Sequence, residues 1–176
     1  MRSSSCSCNK NSCPECNPCE PIGPINPNVP CTCSASFKIK SKTQVSIFPV
    51  GNKSGILTVI GSICPNCHND TSNFLISFTD LDISEGDQSF RVSPVSIEPI
   101  GCSQSDNRIT LSIRFAGIYK PTVGNPQLAI GQMNVSDSIV DGQDTVEIAL
   151  WDFSFNNFLG AAANIPPTSV TITQCF

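Results

Sequence analysis

The stretch Arg108-Ile-Thr-Leu-Ser-Ile-Arg-Phe-Ala-Gly-Ile-Tyr119 decides the fold class. Ile109, Leu111, Ile113 and Phe115 alternate with Thr110, Ser112 and Arg114. A period of two places the apolar set on one face of an extended strand and the polar set on the other. The same alternation recurs outward in both directions. Ala35, Phe37 and Ile39 alternate with Ser36, Lys38 and Lys40, and Val45 and Ile47 flank Ser46. Further strands are predicted over Gly55–Ile63, Asn73–Thr79, Ser89–Ile100, Gln127–Val135, Thr145–Phe155 and Thr168–Gln174. Turn residues stand between them: Gly51-Asn52, Glu85-Gly86-Asp87, Asp106-Asn107, Gly124-Asn125-Pro126, Asp141-Gly142 and Pro166-Pro167. Phe158–Asn164 is the one segment with helical character. About nine short strands with almost no helix predict an all-β fold, a single β-sandwich of jelly-roll type.

Residues 1–33 read differently. They carry seven of the eleven cysteines, at Cys6, Cys8, Cys13, Cys16, Cys19, Cys31 and Cys33. Pro14, Pro18, Pro21, Pro24, Pro27 and Pro30 recur every three or four residues, which excludes helix and central strand. The division predicted is therefore a Cys/Pro-rich connector arm over 1–33 and a β body over 34–176. Fully extended at about 3.3 Å per residue, the arm spans on the order of 100 Å.

Composition narrows the function. Only 14% of residues are charged, against about 25% in ordinary soluble domains. The net charge is −4 and the ten Lys and Arg are scattered, so binding driven by nucleic-acid phosphates is not expected. No apolar run approaches the roughly 20 residues that span a membrane. The opening Met1-Arg-Ser-Ser-Ser-Cys-Ser-Cys lacks the apolar core of a secretory signal. Eleven cysteines in 176 residues nevertheless fit an oxidising compartment. Three routes reconcile these facts: metal binding in a reducing cytosol, an unrecognised export route, or oxidation after the producing cell lyses. Because eleven is odd, at least one thiol is free or paired with another chain.

The cysteines allow several chemistries. Disulfides are open to every one of them, including Cys13, Cys16, Cys19, Cys31, Cys64, Cys67 and Cys102. Cys13, Cys16, Cys64, Cys67 and His68 supply paired C-x-x-C thiolates and one imidazole, the alternative reading as a zinc module. Cys64-Pro-Asn-Cys67-His68 also matches the c-type haem attachment pattern, with Met133 as the one available second axial ligand. A β-turn closed by a Cys64–Cys67 disulfide, or linked to a neighbouring chain, is the simpler expectation for that segment. The C-P-x-C pairs lack the helix N-terminus that a redox enzyme uses to activate a thiol. Asp80, Asp82, Glu85 and Asp87 miss the glycine and glutamate positions of an EF-hand loop, so they are expected to form a solvated loop. With His68 as the only histidine and no G-x-S-x-G or H-E-x-x-H, no catalytic residue is assigned and no enzyme is expected.

A cysteine-bearing arm without a signal peptide, ahead of a β body that ends in Val170-Thr-Ile-Thr-Gln-Cys175-Phe176, resembles the pilins of bacterial endospore appendages. The arm here is longer, has no adjacent Cys-Cys pair and carries a proline spacer. The resemblance implies a jelly-roll body and a connector that forms disulfides with preceding subunits of a helical fibre. It implies Cys6 and Cys8 as connectors, and Cys33 and Cys175 as their acceptors on other chains. The expected function is thus a self-assembling structural subunit of an extracellular or spore-surface fibre. Its partners would be copies of itself, with no cofactor, nucleic acid, membrane or small-molecule substrate.

Overall fold

A computed structural model describes residues 31–68, 71–105, 107–140, 142–152, 154 and 156–175. Nine strands carry the chain: β1 (Cys33–Ile47), β2 (Gly51–Ile63), β3 (Asn73–Asp80), β4 (Phe90–Ser105), β5 (Arg108–Pro121), β6 (Gln127–Ser138), β7 (Asp144–Trp151), β8 (Asn157–Ile165) and β9 (Val170–Gln174). Each strand from β1 to β8 pairs antiparallel with the next, and β8 returns to β1. The body is therefore a closed eight-stranded up-and-down barrel with β9 as an extra strand. The all-β expectation holds, but sequential pairing replaces the long crossovers of a jelly roll.

The alternation in the sequence becomes the inside and outside of the barrel. Ile39, Val45, Leu57, Val59, Ile76, Leu111, Ile113, Met133, Val135, Val146 and Leu150 are fully buried or within one per cent of it. Aromatic rings pack in contact within the core. Phe74 packs edge-on against Phe115 at 5.0 Å, and Phe78, Phe90, Tyr119 and Phe158 form a second chain of contacts. The Phe115 ring lies directly over Gly131 on the neighbouring strand, where a Cβ would collide with it.

Three departures from the sequence expectations have physical causes. Phe158–Asn164 is strand, not helix. Ala161, Ala162 and Ala163 suit a helix by propensity, but Leu159, Ala161, Ala163 and Ile165 alternate inward to complete the barrel wall. The strand expected over Thr145–Phe155 stops at Trp151. Beyond it, Asp152 Oδ1 accepts hydrogen bonds from Ser154 N and Asn156 N and turns the chain. The strand expected to end at Ile100 continues to Ser105, with register shifts between Pro94 and Ser96 and between Pro99 and Gly101. Prolines lack the ladder donor, so the strand bulges beside each and its inward phase shifts twice.

Closure is uneven along the barrel axis. β3 and β4 share only Ile76–Phe78 against Phe90–Val92, so the lower part of β4 stays with β5 alone. β1 meets β8 only at Val45–Ile47 and meets β9 at Cys33–Phe37. Between those ladders, Thr43 Oγ1 donates to Ala162 O at 2.7 Å and Lys38 N to Ser169 O at 2.9 Å. The outer edge of β9 is covered by carboxylates. Val170 N donates to Asp144 Oδ2 at 3.0 Å and Ile172 N to Asp137 Oδ2 at 2.9 Å. Asp144, 1% exposed, also accepts from Ser138 N at 3.1 Å, so its buried charge is met by two backbone donors.

Candidate functional site: the disulfide-closed end

An up-and-down barrel sorts its connections by parity. The β2–β3, β4–β5 and β6–β7 connections lie at the end where β1 begins, and β9, which runs along β1 in the same direction as β8, finishes there. All six cysteines among the described residues gather there, in three disulfides: Cys31–Cys64, Cys33–Cys102 and Cys67–Cys175. Their Cα atoms are 5.9, 5.9 and 5.7 Å apart.

Each bridge has a local reason. Cys33 is in phase with Ala35 and Phe37, so it faces inward and is 1% exposed. The two bulges of β4 bring Cys102 into phase with it, and the bond ties the lower part of β4 to β1, across the gap where β3 and β4 have parted. Cys64 to Cys67 form a tight turn in which Cys64, Asn66 and Cys67 have φ of 49°, 54° and 63°. Left-handed residues in such a run are costly and must be held from outside. Cys67 N donates to Cys64 O at 2.8 Å, and Cys64 N donates to Ser72 Oγ at 2.8 Å. The turn also directs its two sulfurs apart. Buried Cys64 reaches back to Cys31, while exposed Cys67 reaches the half-exposed Cys175. The turn itself was expected; the Cys64–Cys67 bridge across it is replaced by two longer-range bonds.

The bridges span 33, 69 and 108 residues of sequence. In the chain-entropy treatment a loop of that size contributes roughly 4 kcal/mol, less than additively for nested loops. The bonds also indicate that the chain matures in oxidising surroundings.

The sequence-derived site residues divide accordingly. Cys31, Cys33, Cys64, Cys67, Cys102 and Cys175 are brought to one barrel end and paired within the chain. Cys33 and Cys175, expected as acceptors for other chains, thus each have a partner in their own chain. Cys6, Cys8, Cys13, Cys16 and Cys19 lie outside the described residues. The zinc and haem readings both need Cys64 and Cys67 as thiolates or thiols, and here both sulfurs are committed to disulfides. Met133, the haem reading's axial candidate, is sealed in the barrel core. Among the described residues, no group of three or more His, Cys, Asp or Glu is arranged to hold a metal ion. Nor is any helix among them long and apolar enough to cross a membrane.

The opposite barrel end carries the acidic loop. Its aspartates accept from the loop's own backbone N–H groups, as in a solvated loop. Asp82 Oδ1 accepts from Ser84 Oγ at 2.6 Å and from Ser84 N, Asp87 Oδ1 accepts from Ser89 N at 2.8 Å, and Asp80 accepts from Asp82 N and Gln88 N. The serine hydrogen bonds hold the Asp82 and Asp87 carboxyls below the usual carboxylate range. Lys53, 5% exposed, bonds Glu85 at 2.9 Å, and that bond raises its ammonium above the ordinary lysine value.

The class that fold and site define is a disulfide-closed, eight-stranded antiparallel barrel with an added edge strand. No protein-family model, curated protein or solved structure matches the chain.

Proposed function

We propose that the protein is a self-assembling structural subunit of an extracellular or spore-surface fibre, joined to its neighbours by disulfides from the cysteines of its N-terminal 30 residues. The observation that carries this reading is how the cysteines are divided. The six cysteines among the described residues, Cys31 and Cys33 of the arm's end with four from the body, satisfy one another in three bonds. The remaining five, Cys6, Cys8, Cys13, Cys16 and Cys19, are odd in number. Pairing among themselves leaves at least one over, and the body offers it no free thiol.

Thiol–disulfide exchange supplies the linkage. A thiolate from Cys6 or Cys8 of one chain attacks Cys175 Sγ of another. The new interchain S–S bond forms as the Cys67–Cys175 bond breaks, and Cys67 leaves as a thiolate. Electrons balance and no oxidant is consumed. Accessibility favours this bridge over Cys33–Cys102, because Cys67 is exposed while Cys33 is 1% exposed. Of the two acceptors implied by the pilin resemblance, Cys175 therefore carries the proposal.

The test is the full chain, kept oxidised and run on a non-reducing gel. A ladder of oligomers that collapses with reductant is expected. A chain with Cys6, Cys8, Cys13, Cys16 and Cys19 all changed to Ser should run as monomer. A wild-type chain that is wholly monomeric under oxidising conditions overturns the reading.

A further inference from the structure

The same parity that gathers the disulfides sends the β1–β2, β3–β4, β5–β6 and β7–β8 connections to the other end of the barrel. Apolar residues protrude from three of these loops. Phe48 is 76% exposed, Val123 72%, Ile83 65%, Leu81 52% and Val50 42%. Hairpin turns ordinarily carry polar residues, and these five have no covering element among the described residues. A smaller pair, Ile139 and Val140, is exposed on the β6–β7 connection at the disulfide end. The barrel thus has an apolar crown at one end and a lesser apolar contact at the other.

We propose that the crown docks against the disulfide end of a second copy of this chain, giving head-to-tail order. This rests on the assembly reading above and assigns its direction. Three observations select a second copy as occupant. Unlike apolar patches at opposite ends of one molecule make a heterologous contact, which does not close on itself and so propagates. The described chain starts at Cys31 and finishes at Cys175, both at the disulfide end, so neither terminus leaves from the crown. Residues 1–30 therefore leave from the end that meets the neighbour's crown. A path along the neighbour's wall is about 43 Å, taking the 13 residues of β2 at ~3.3 Å each, and strand tilt makes the barrel shorter than that along its axis. Thirty residues have a contour of up to about 100 Å. The arm of one copy is thus long enough to run past the neighbour's crown to its Cys67–Cys175 bridge. Asp82, Glu85 and Asp87 beside the crown disfavour an anionic lipid surface as the alternative occupant. Five side chains are few beside the 20–30 residues per side of a stable interface, at roughly 800 Å² per partner. The contact is weak alone and becomes durable through the covalent tether.

The test uses full chains with the five arm cysteines changed to Ser and the body disulfides intact. One carries Val123→Cys in the crown and the other Val140→Cys at the opposite end. Under mild oxidation the mixture should form crosslinked dimer about ten-fold faster than either chain alone. Phe48→Ser with Ile83→Ser in the Val123→Cys chain should remove that advantage. Self-crosslinking of the Val123→Cys chain as fast as the mixture overturns head-to-tail order. So does crown-dependent binding to phosphatidylcholine–phosphatidylglycerol vesicles without the mixed crosslink. If wild-type chains form the reductant-sensitive ladder while the mixed crosslink is absent, the docking inference fails and the fibre reading stands. The crosslink without the ladder gives the converse.

Discussion

The two ends of this barrel are built from opposite materials. At the end where the chain enters and leaves, three covalent bonds join β1, β4, the turn after β2 and the C-terminus. At the crown no cysteine is present among the described residues, and the loops are held by backbone bonds such as Thr122 N to Ser89 O at 2.8 Å and by aspartates folded onto their own turns. The ladders explain the contrast. β3 parts from β4 and β1 parts from β8 toward the disulfide end, where hydrogen bonding around the barrel is incomplete. Cross-links stand where the sheet does not close, and toward the crown, where it does, they are absent.

The largest effect should come from opening the buried bridge. Cys33→Ala with Cys102→Ala is expected to cost about 4 kcal/mol in urea unfolding, a large share of the 5–15 kcal/mol of an ordinary domain. Cys67→Ala with Cys175→Ala removes a loop constraint within about 0.5 kcal/mol of that one. It empties no buried site, so its total cost should be smaller. Equal or reversed costs would show that the buried pair does not substitute for the missing β3–β4 ladder.

A milder break removes the carboxylate that covers β9. Asp144→Ala strands Ser138 N and Val170 N, at about 1–3 kcal/mol for buried donors left unpaired. Amide exchange at Val170 and Ile172 should quicken while Leu57 and Phe78, in the crown half, keep their protection. Equal loss of protection in both halves would show that the barrel opens as one unit rather than from its disulfide end.

How much of this was readable in the sequence follows the same division. Period two in Arg108–Tyr119 gave β5 almost to the residue, because each face has one environment along its whole length. Cys33 stands in phase with Ala35, Phe37 and Ile39, so its burial was legible. Its partner was not: even the six described cysteines taken alone allow 15 pairings, and Cys102 faces inward only after two bulges whose size no pattern encodes. Barrel and sandwich share the same alternation, and what separates them is the three-residue ladder between β1 and β8, a contact between distant segments. The crown had a visible signal that the turn markers masked. Phe48, Val50 and Val123 lie within or beside predicted turns, where an apolar residue has no core to face.

The smallest effect separates the ends by pH. Hydrogen bonds from Ser84, Ser89 and Asn156 hold the carboxyls of Asp82, Asp87 and Asp152 below their usual range. A carboxyl depressed in the folded state stabilises above its unfolded pKa of about 3.9, and that contribution is lost as pH falls through the folded value. All three aspartates lie at the crown, while disulfides do not titrate in this range. Acid should therefore loosen the crown loops first. Between pH 5 and pH 2, amide exchange corrected for its intrinsic pH dependence should lose protection at Ser84, Ser89 and Asn156, with Cys64 and Cys67 unchanged. All three groups are solvent-facing, so the loss per site is expected to be small. Loss of protection at the Cys64–Cys67 turn over the same interval would mean that the two ends are coupled through the barrel wall.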